Sequence, residues 1–439
     1  MKTLKRTFLY LLALLLFIFI LMVIINLPAF DEELLPEVQA IKEIKAQPYS
    51  VNNAYPAILA LNSASGPSLK QATKTIRDHL NQQIAENGLD YLNQEDYQRL
   101  IGKGHDNSWK NIYYNCKSRT EKNCMASLIE DVANQPISDE RLKAQLKRYA
   151  DLIKMTDYQD ATQIEFNAPY VAFGSLQQIK RLFLADAYIN HSTDEYLKTW
   201  RQDMNFWRMV LADNHILITR MVAIASVFNS INSLSTAINQ GALSPQQLSE
   251  LQRQIKTLSK KELDMGTTFD YEFKYGMRFL EMAETERKVG NLIENMFYQP
   301  NATTNLHYEF ATRPLKQVSA LSSVEYYQHV TGENNAVKFT SPFNWSLTTL
   351  YNPLGKQFIS YAIPAYNDYV ARAHDLNGMM LLLKLQIEIA LSPNQPVEQV
   401  ITQSKYTNPY TLEPMDYNSE THSIYFECMD KYSVCELSL

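Results

Sequence analysis

The sequence predicts a mainly α-helical protein. An N-terminal transmembrane helix is followed by a large multi-helix domain without repeats and by a small irregular or β C-terminal tail. Apolar residues recur at helical spacing along most of the 439 residues. Only 12 residues are glycine, which disfavours the left-handed turns of β-hairpins. No segment repeats at a fixed period, which disfavours a repeat solenoid.

The first element is an apolar segment, Phe8 to Ile25, that contains no charge, proline or glycine. A helix of this length covers most of the hydrocarbon core of a bilayer, which is roughly 30 Å thick. Basic residues precede the segment at positions 2, 5 and 6, and acidic residues follow it at positions 31 to 33. The positive-inside bias therefore predicts a cytoplasmic N-terminus and an exported body.

The alternative to a membrane anchor is a cleaved signal peptide. Its apolar region is usually 7–15 residues long and ends in a small-x-small cleavage site. The exit from this segment, Asn26-Leu27-Pro28-Ala29-Phe30, lacks that pattern. We therefore expect an uncleaved single-pass anchor, with the lipid bilayer as its first partner.

The pattern along the chain predicts five segments. They are a cytoplasmic N-terminus at 1–7, a transmembrane helix at 8–27, a juxtamembrane linker with short helices at 28–67, a helical periplasmic domain at 68–407, and a C-terminal tail at 408–439. Within the domain, Ser138 is a predicted N-cap, Ser244-Pro245-Gln246-Gln247 a predicted capping box, and Tyr366 to Leu391 a long helix. In the tail, 423–426 and 432–434 are predicted strands.

The four cysteines fall in two pairs, Cys116 with Cys124 and Cys428 with Cys435. An even number in an exported chain indicates disulfides, and local pairing would pin the tail. Three pairings are possible. Free thiols and a zinc site are the alternatives, although both spacings are wider than the usual zinc knuckle.

Charge and motifs exclude several classes of function. The net charge is −6 and no dense basic run is present, so we expect no nucleic-acid partner. Phosphate-loop, dinucleotide-binding, zinc-protease and serine-hydrolase motifs are all missing. We therefore expect no cofactor and no metal, and the question of an enzymatic activity stays open.

His374 beside Asp375 is the first weak catalytic candidate, because a histidine next to a carboxylate can serve acid–base chemistry. Adjacent helical residues point about 100° apart, however, so the two do not naturally touch. Glu281 and Glu284 share a helix face, as paired carboxylates in hydrolysis or metal binding do. An ordinary charged face is the alternative. His307 is the last weak candidate.

Several short motifs occur across most of the chain after the apolar segment: Asn53-Ala-Tyr-Pro-Ala-Ile-Leu, Arg148-Tyr-Ala-Asp-Leu-Ile, Phe206-Trp-Arg-Met-Val-Leu, Leu217-Ile-Thr-Arg-Met-Val-Ala, Gln299-Pro-Asn-Ala-Thr-Thr-Asn, Asn352-Pro-Leu-Gly-Lys, His374-Asp-Leu-Asn-Gly and Asn408-Pro-Tyr-Thr-Leu-Glu-Pro-Met. Through these motifs the chain resembles an uncharacterised family of proteobacterial inner-membrane-anchored periplasmic helical proteins with no assigned activity. In the last motif, Leu412-Glu413 stands where the family would have a glycine and a polar residue. The resemblance implies a Gram-negative inner membrane and a periplasmic domain.

These observations lead to a functional hypothesis. The chain would be a scaffold, chaperone or interaction module of the cell envelope with an unidentified protein partner. One alternative is an envelope hydrolase acting on peptidoglycan or lipid, which needs a pocket that joins His374 to Glu281, Glu284 or His307. The other is a carrier of an apolar ligand.

Overall fold

A computed structural model describes residues 2–61, 63, 68–88, 94–101, 112–160, 173–287, 297–332, 347–362 and 367–439. The described chain is mainly helical and carries a small antiparallel sheet in its C-terminal tail, as the sequence predicts. It forms two compact units. Unit 1 contains Met1–Ile44, Phe269–Gln317 and Glu333–Ala365, and unit 2 contains Lys45–Thr268, Val318–Gly332 and Tyr366–Leu439.

The α-helices are bounded as follows: Lys2–Ile25, Pro36–Lys42, Ala54–Ala60, Leu69–Asn87, Gln94–Ile101, Cys124–Asn134, Glu140–Leu152, Phe173–Asn190, Thr193–Asp213, Leu217–Asn239, Pro245–Gln254, Lys260–Leu263, Gly266–Arg287, Pro300–His307, Arg313–Ser319, Ser323–Thr331, Pro353–Ala362, Asn367–Ala390 and Val397–Gln403. A π-helical turn, Tyr308–Thr312, and 3-10 turns at Pro28–Phe30 and Leu347–Leu350 complete the helical elements.

Two helices are long and apolar enough to cross a membrane. Lys5–Ile25, with 21 residues, is a candidate span whose side chains are exposed in the structure, although a signal sequence has the same features. Leu217–Asn239 passes the same criteria of length and composition, but 78% of its apolar window is buried. We assign the second helix to the core of unit 2, because a helix that is apolar on all sides must be covered on all sides.

The core of unit 2 surrounds Leu217–Asn239. This helix contacts Thr193–Asp213, Phe173–Asn190 and Asn367–Ala390. Its serines do not interrupt the burial, because hydroxyls of such residues can bond back to their own helix. Ser226, for example, donates to the Val222 carbonyl oxygen four residues earlier at 2.8 Å.

A charged pair lies inside this core. Lys180 Nζ is 2.5 Å from Asp203 Oδ2, and both side chains are fully buried. Ser230 donates to the same oxygen at 2.7 Å, and Tyr149 donates to Oδ1 at 2.5 Å. Trp207 donates its indole N–H to the Tyr149 hydroxyl at 2.7 Å. Burial lowers the pKa of Lys180, and the Asp203 carboxylate opposes that shift.

Helix starts follow local capping chemistry. The predicted capping box at Ser244 is confirmed, since its hydroxyl accepts from Gln247 N–H and the Gln247 side chain accepts from Ser244 N–H. The predicted N-cap at Ser138 is wrong. Asp139 caps that helix, because its carboxylate accepts from the N–H groups of both Arg141 and Leu142.

The tail carries three short strands, Asp416–Asn418, Ser423–Tyr425 and Glu436–Ser438, paired antiparallel in that order. The predicted strand at 423–426 is confirmed. The predicted strand at 432–434 is wrong, because Tyr432 lies in a turn inside the Cys428–Cys435 loop and the strand begins only at Glu436.

One hydrophobic cluster in unit 1 is formed by Val38, Ile41, Phe273, Met277 and Tyr308. Leu34, Leu35 and Ile44 pack against this cluster. The short helix Pro36–Lys42, predicted as a juxtamembrane helix, therefore buries one apolar face against Gly266–Arg287 and the π-helical turn.

Replacing Asp203 by alanine would leave the Lys180 ammonium buried without a counter-charge. We expect Asp203→Ala to lower the free energy of unfolding by about 3–5 kcal/mol. The double variant Lys180→Met/Asp203→Leu removes both charges and should recover much of that loss. Urea unfolding of the detergent-solubilised chain, followed by tryptophan fluorescence, measures both.

Asp151→Ala is the matched control, since it breaks an exposed pair in which Lys154 Nζ lies 3.0 Å from the carboxylate. Its expected loss is below about 1 kcal/mol. Equal losses for Asp203→Ala and Asp151→Ala would contradict the role of the buried pair.

Candidate functional site

Asp375 projects from Asn367–Ala390 and is fully buried. Its Oδ1 accepts hydrogen bonds from the Tyr410 hydroxyl at 2.6 Å and from Met429 N–H at 2.8 Å. Its Oδ2 accepts from Asp430 N–H at 2.9 Å. Burial raises the pKa of Asp375 to about 6, although the three donors oppose the shift. All three donors belong to the tail, so this carboxylate fixes the tail to the helix.

Gly378 allows the tail to lie this close to the helix Asn367–Ala390. A Cβ at Gly378, one turn beyond Asp375, would lie 2.3 Å from Phe426 Cζ and 2.8 Å from Pro409 Cγ. Both neighbours belong to the tail. Any side chain at this position would push the tail away from the helix.

Asp430 joins the loops that the two disulfides close. Its buried carboxylate pairs with Arg119, which lies in the Cys116–Cys124 loop, and with Arg372 Nε at 3.2 Å. Asp430 itself lies in the Cys428–Cys435 loop and also accepts from the Ser433 hydroxyl at 2.7 Å. A backbone hydrogen bond also joins the two loops, since Val434 N–H donates to the Arg119 carbonyl oxygen at 2.7 Å.

Both predicted cysteine pairs lie at disulfide distance, Cys116 with Cys124 and Cys428 with Cys435. Asp375 and the sulfurs of Cys428 and Cys435 place their ligand atoms within 4.8 Å of one another. That set does not fit a metal while the sulfurs are bonded to each other, because thiolate is the form that binds metals.

His374 does not act with Asp375. Its buried ring stacks on Tyr326 with centroids 4.4 Å apart, and its Nδ1 lies 3.0 Å from Ser323 Oγ. Burial lowers the pKa of His374 to about 4, so the ring is neutral at ordinary pH. A serine beside a neutral histidine resembles a nucleophile and its base, but both side chains are buried and Nε2 has no hydrogen-bond partner among the described residues.

Glu281 behaves as part of an ordinary charged face in unit 1. It pairs with Lys42 at 3.7 Å and with Arg278 at 3.3 Å, and about half of its side chain is exposed. The Glu284 side chain lies outside the described part of the structure. The paired-carboxylate hypothesis therefore has no geometry to support it.

His307 packs against Phe273 with ring centroids 5.0 Å apart, and burial lowers its pKa to about 4. It belongs to unit 1, as Glu281 does, whereas His374 belongs to unit 2. Within its own unit each of these side chains has separate neighbours. The described contacts do not assemble the catalytic set that the hydrolase hypothesis requires.

Unit 1 also holds the residue that ends the apolar helix. Asn26 is 2% exposed. Its Nδ2 donates to the Leu350 carbonyl oxygen at 2.7 Å, and its Oδ1 accepts from Asn352 N–H at 2.7 Å. Asn352 has a positive φ of 50° and in turn accepts from Gln299 N–H at 3.0 Å. The end of the candidate span is thus built into the fold of this unit.

The acidic residues after the span have defined roles. The Asp31 carboxylate accepts from Asn301 N–H and Ala302 N–H, both at 3.0 Å, and so caps Pro300–His307 from outside its own sequence. Asn305 accepts from Leu35 N–H at 3.0 Å and donates to the Glu33 carbonyl oxygen at 2.9 Å. We call Asn26 to Leu35, together with the residues that hold it, the anchor junction.

The anchor junction was missed at the sequence level, although two of the quoted motifs supply it. Gln299-Pro-Asn-Ala-Thr-Thr-Asn and Asn352-Pro-Leu-Gly-Lys contain the side chains that bind the segment after the span. The signal was a set of asparagines next to prolines, which are frequent at turns and caps. The positions of these asparagines in the sequence do not show which part of the chain they bind.

Three aromatic residues near Arg208 on the helix Thr193–Asp213 belong to the core of unit 2. Trp200, Phe206 and Trp207 are buried, and Arg208 forms a two-pronged ion pair with Glu262 at 2.6 and 2.8 Å. A cavity of about 330 Å³ lies beside Trp200 and is lined also by Arg201, Met204, Asn205, Arg208, Gln254, Ile255 and Met380. If the chain were a carrier of an apolar ligand, this cavity would be the place for that ligand.

Comparison with protein-family models, curated proteins and solved structures finds no match to this chain. The resemblance to the proteobacterial family therefore stays a prediction, and no residue role is transferred from another protein.

Acid should destabilise the fold partly through His374. The unfolded histidine takes up a proton near its ordinary pKa of about 6.5, while the folded one does so only near 4, so stability falls as pH drops through this window. His374→Phe keeps the stack on Tyr326 but cannot be protonated. We expect its loss of unfolding free energy between pH 7 and pH 4 to be about 3 kcal/mol smaller than that of the natural chain.

Urea unfolding at the two pH values measures this difference. The same substitution at His191, which is exposed, should leave the acid-dependent loss as it is in the natural chain. An identical acid-dependent loss in His374→Phe and the natural chain would contradict the assignment of a buried, neutral ring.

Proposed function

We propose that this chain is an uncleaved single-pass protein of a Gram-negative inner membrane, with its helical units in the periplasm. There it serves as a scaffold or interaction module of the cell envelope. The anchor junction is the observation that carries the proposal. Removal of the apolar helix near Asn26 would break the side-chain bonds of that residue to Leu350 and Asn352. A leader peptide that is cleaved has no need of such contacts.

The cysteines support the exported location. Disulfides persist in oxidising compartments, and both pairs are placed to form them. The loops that they close are joined by the pair between Arg119 and Asp430. An exported body agrees with the basic residues before the span and the acidic residues after it.

A scaffold role is supported by the use of the candidate polar groups inside the fold. Both oxygens of Asp375 accept bonds from the tail, and His374 is enclosed by Tyr326 and Ser323. Side chains that form hydrogen bonds inside the fold stabilise its surface and are not available to act on a substrate. The tail and the 297–365 region are the proposed partner-binding parts. In the described residues of that region, 297–332 and 347–362, irregular segments alternate with short helices, and loops on a rigid scaffold commonly carry recognition.

The envelope hydrolase is the alternative, and one contact favours it. Ser323 Oγ lies 3.0 Å from His374 Nδ1, which is the distance between a nucleophile and its base. For this alternative to hold, Ser323→Ala would have to abolish turnover of a peptidoglycan or lipid ester that the natural chain hydrolyses. The proposal expects neither protein to show turnover.

Topology and processing test the proposal together. A C-terminal alkaline phosphatase fusion should be active in a Gram-negative host, and a green fluorescent protein fusion should be dark, because the latter does not become fluorescent after export in unfolded form. Protein extracted from membranes should retain peptides from Lys2–Ile25 by mass spectrometry.

Replacing Lys2, Lys5 and Arg6 together by glutamate is the control for orientation. This variant should lose phosphatase activity, because the positive flank that keeps the N-terminus inside is gone. A natural chain whose mature N-terminus lies after Asn26 would overturn the anchor, and a fluorescent C-terminus would overturn the exported location.

A further inference from the structure

The two disulfides differ in access. Cys116 and Cys124 are 0% and 2% exposed. Cys428 is partly exposed, while its partner Cys435 is 4% exposed. Both residues of the second pair line an open cleft of about 260 Å³ in unit 2, together with Lys122, Tyr425, Phe426, Asp430, Lys431, Ser433, Val434 and Glu436. Of the two residues, Cys428 is therefore the more accessible to a thiol that enters this cleft.

A buried acid lies behind the same disulfide. An oxygen of Asp375 and the two sulfurs lie within 4.8 Å of one another. The groups facing this carboxylate are the Tyr410 hydroxyl, which donates to it, and the more distant charges or hydroxyls of Asp430, Arg119 and Tyr326. Burial raises the pKa of Asp375 to about 6, which makes it able to hold a proton in mildly acidic solution.

The cleft is lined by cations and by acids. Lys122 and Lys431 line it, and Lys122 pairs with Glu436, which lines it too. Arg119 and Arg372 reach the Asp430 carboxylate at its wall. Nearby cations favour thiolates over thiols, which raises the fraction of thiolate and makes a thiolate a better leaving group. This disulfide therefore has an accessible cysteine, a buried acid beside it and cations nearby. A disulfide that only crosslinks the chain needs none of these three features.

We propose that Cys428–Cys435 is a redox-active disulfide that exchanges with the dithiol of a cysteine-containing peptide, with Asp375 as the proton donor to the buried sulfur of Cys435. The activity goes beyond the scaffold role and does not depend on it. It is a property of unit 2 alone and is measurable in purified protein.

The exchange takes two balanced steps. A thiolate of the partner attacks Cys428 Sγ, forms a mixed disulfide and breaks the Cys428–Cys435 bond, so that the departing Cys435 sulfur takes a proton from the Asp375 carboxylic acid. The second partner thiolate then attacks the partner sulfur of the mixed disulfide and releases Cys428 as a thiolate. The two partner thiolates are oxidised to a disulfide, and this chain is reduced to the Cys435 thiol and the Cys428 thiolate, while the ionised Asp375 takes a proton from water. The reverse steps, with a partner disulfide as the oxidant, restore the starting state.

The first experiment compares the two disulfides in one molecule. The full chain in detergent is treated with dithiothreitol or with a reduced Cys-x-x-Cys peptide, quenched with an alkylating reagent and digested. Mass spectrometry then measures alkylation at each cysteine against time. We expect Cys428 and Cys435 to be reduced at least about ten times faster than Cys116 and Cys124. Equal rates, or faster reduction of the first pair, would overturn the proposal.

Single-cysteine variants test which sulfur is attacked. Cys435→Ser leaves Cys428 at the cleft, and it should form a mixed disulfide with oxidised glutathione. Cys428→Ser leaves the buried Cys435, which should form the adduct at least about ten times more slowly. Equal adduct formation would contradict the assignment of Cys428 as the attacked residue.

The pH profile tests Asp375. The rate of reduction, corrected for the amount of attacking thiolate, should fall as pH rises through about 6, because the acid loses its proton. Tyr410→Phe removes a donor that favours the ionised carboxylate, so it should move this fall to higher pH. Tyr327→Phe is the matched control, since its ring stacks on Tyr410 with centroids 5.7 Å apart and Asp375 keeps its donors.

Asp375→Asn should abolish the fall in reduction rate near pH 6 if the variant is folded, which circular dichroism checks. If the variant does not fold, the shift of that fall to higher pH in Tyr410→Phe tests the role of Asp375. A profile that is identical in the natural chain, Tyr410→Phe and Tyr327→Phe would remove Asp375 from the exchange.

Discussion

The C-terminal part of unit 2 depends on one buried carboxylate. Asp375 accepts from Tyr410, Met429 and Asp430, and each of these donors comes from the tail. A buried charge is costly unless hydrogen bonds compensate it, so the tail and the helix need each other. The same contacts place Cys428 and Cys435 beside the carboxylate. The position of the tail and the proposed exchange chemistry therefore have one physical origin.

Buried polar contacts recur throughout the two units. Lys180 and Asp203 join two helices inside the core of unit 2, and Ser230 joins a third to the same carboxylate. In unit 1, Asn26 and Asp31 fix the segment after the apolar helix by the same principle. Such contacts are directional, unlike apolar packing, so they select one arrangement of helices that are otherwise similar in composition.

Local chemistry could be predicted from the sequence. The long helix Asn367–Ala390 follows from its apolar spacing, the start at Pro245 from its capping box, and the disulfides from cysteines seven and eight residues apart. Each of these signals lies within a short stretch of chain, where the periodicity of a helix or the chemistry of a cap acts directly. The failure at 432–434 was also local, because these β-forming residues lie in a disulfide loop that turns at Tyr432 and forms no strand.

The contacts that define the candidate site could not be predicted in this way. Asn26 and Asn352 are separated by 326 residues and Arg119 and Asp430 by 311, so no spacing rule connects them. His374 and Asp375 were singled out for being adjacent, but the helix directs them to different neighbours. Their roles became visible only with Ser323, Tyr326 and the tail in place.

Hydrogen exchange at the tail tests the central claim most directly. In the full chain, the amides of Met429 and Asp430 donate to Asp375, whereas the adjacent Lys431 is exposed. Exchange resolved to single residues by fragmentation mass spectrometry should show Met429 and Asp430 protected by at least about a hundredfold relative to Lys431. Equal exchange at the three amides would mean that the carboxylate does not hold the tail, and it would contradict this account.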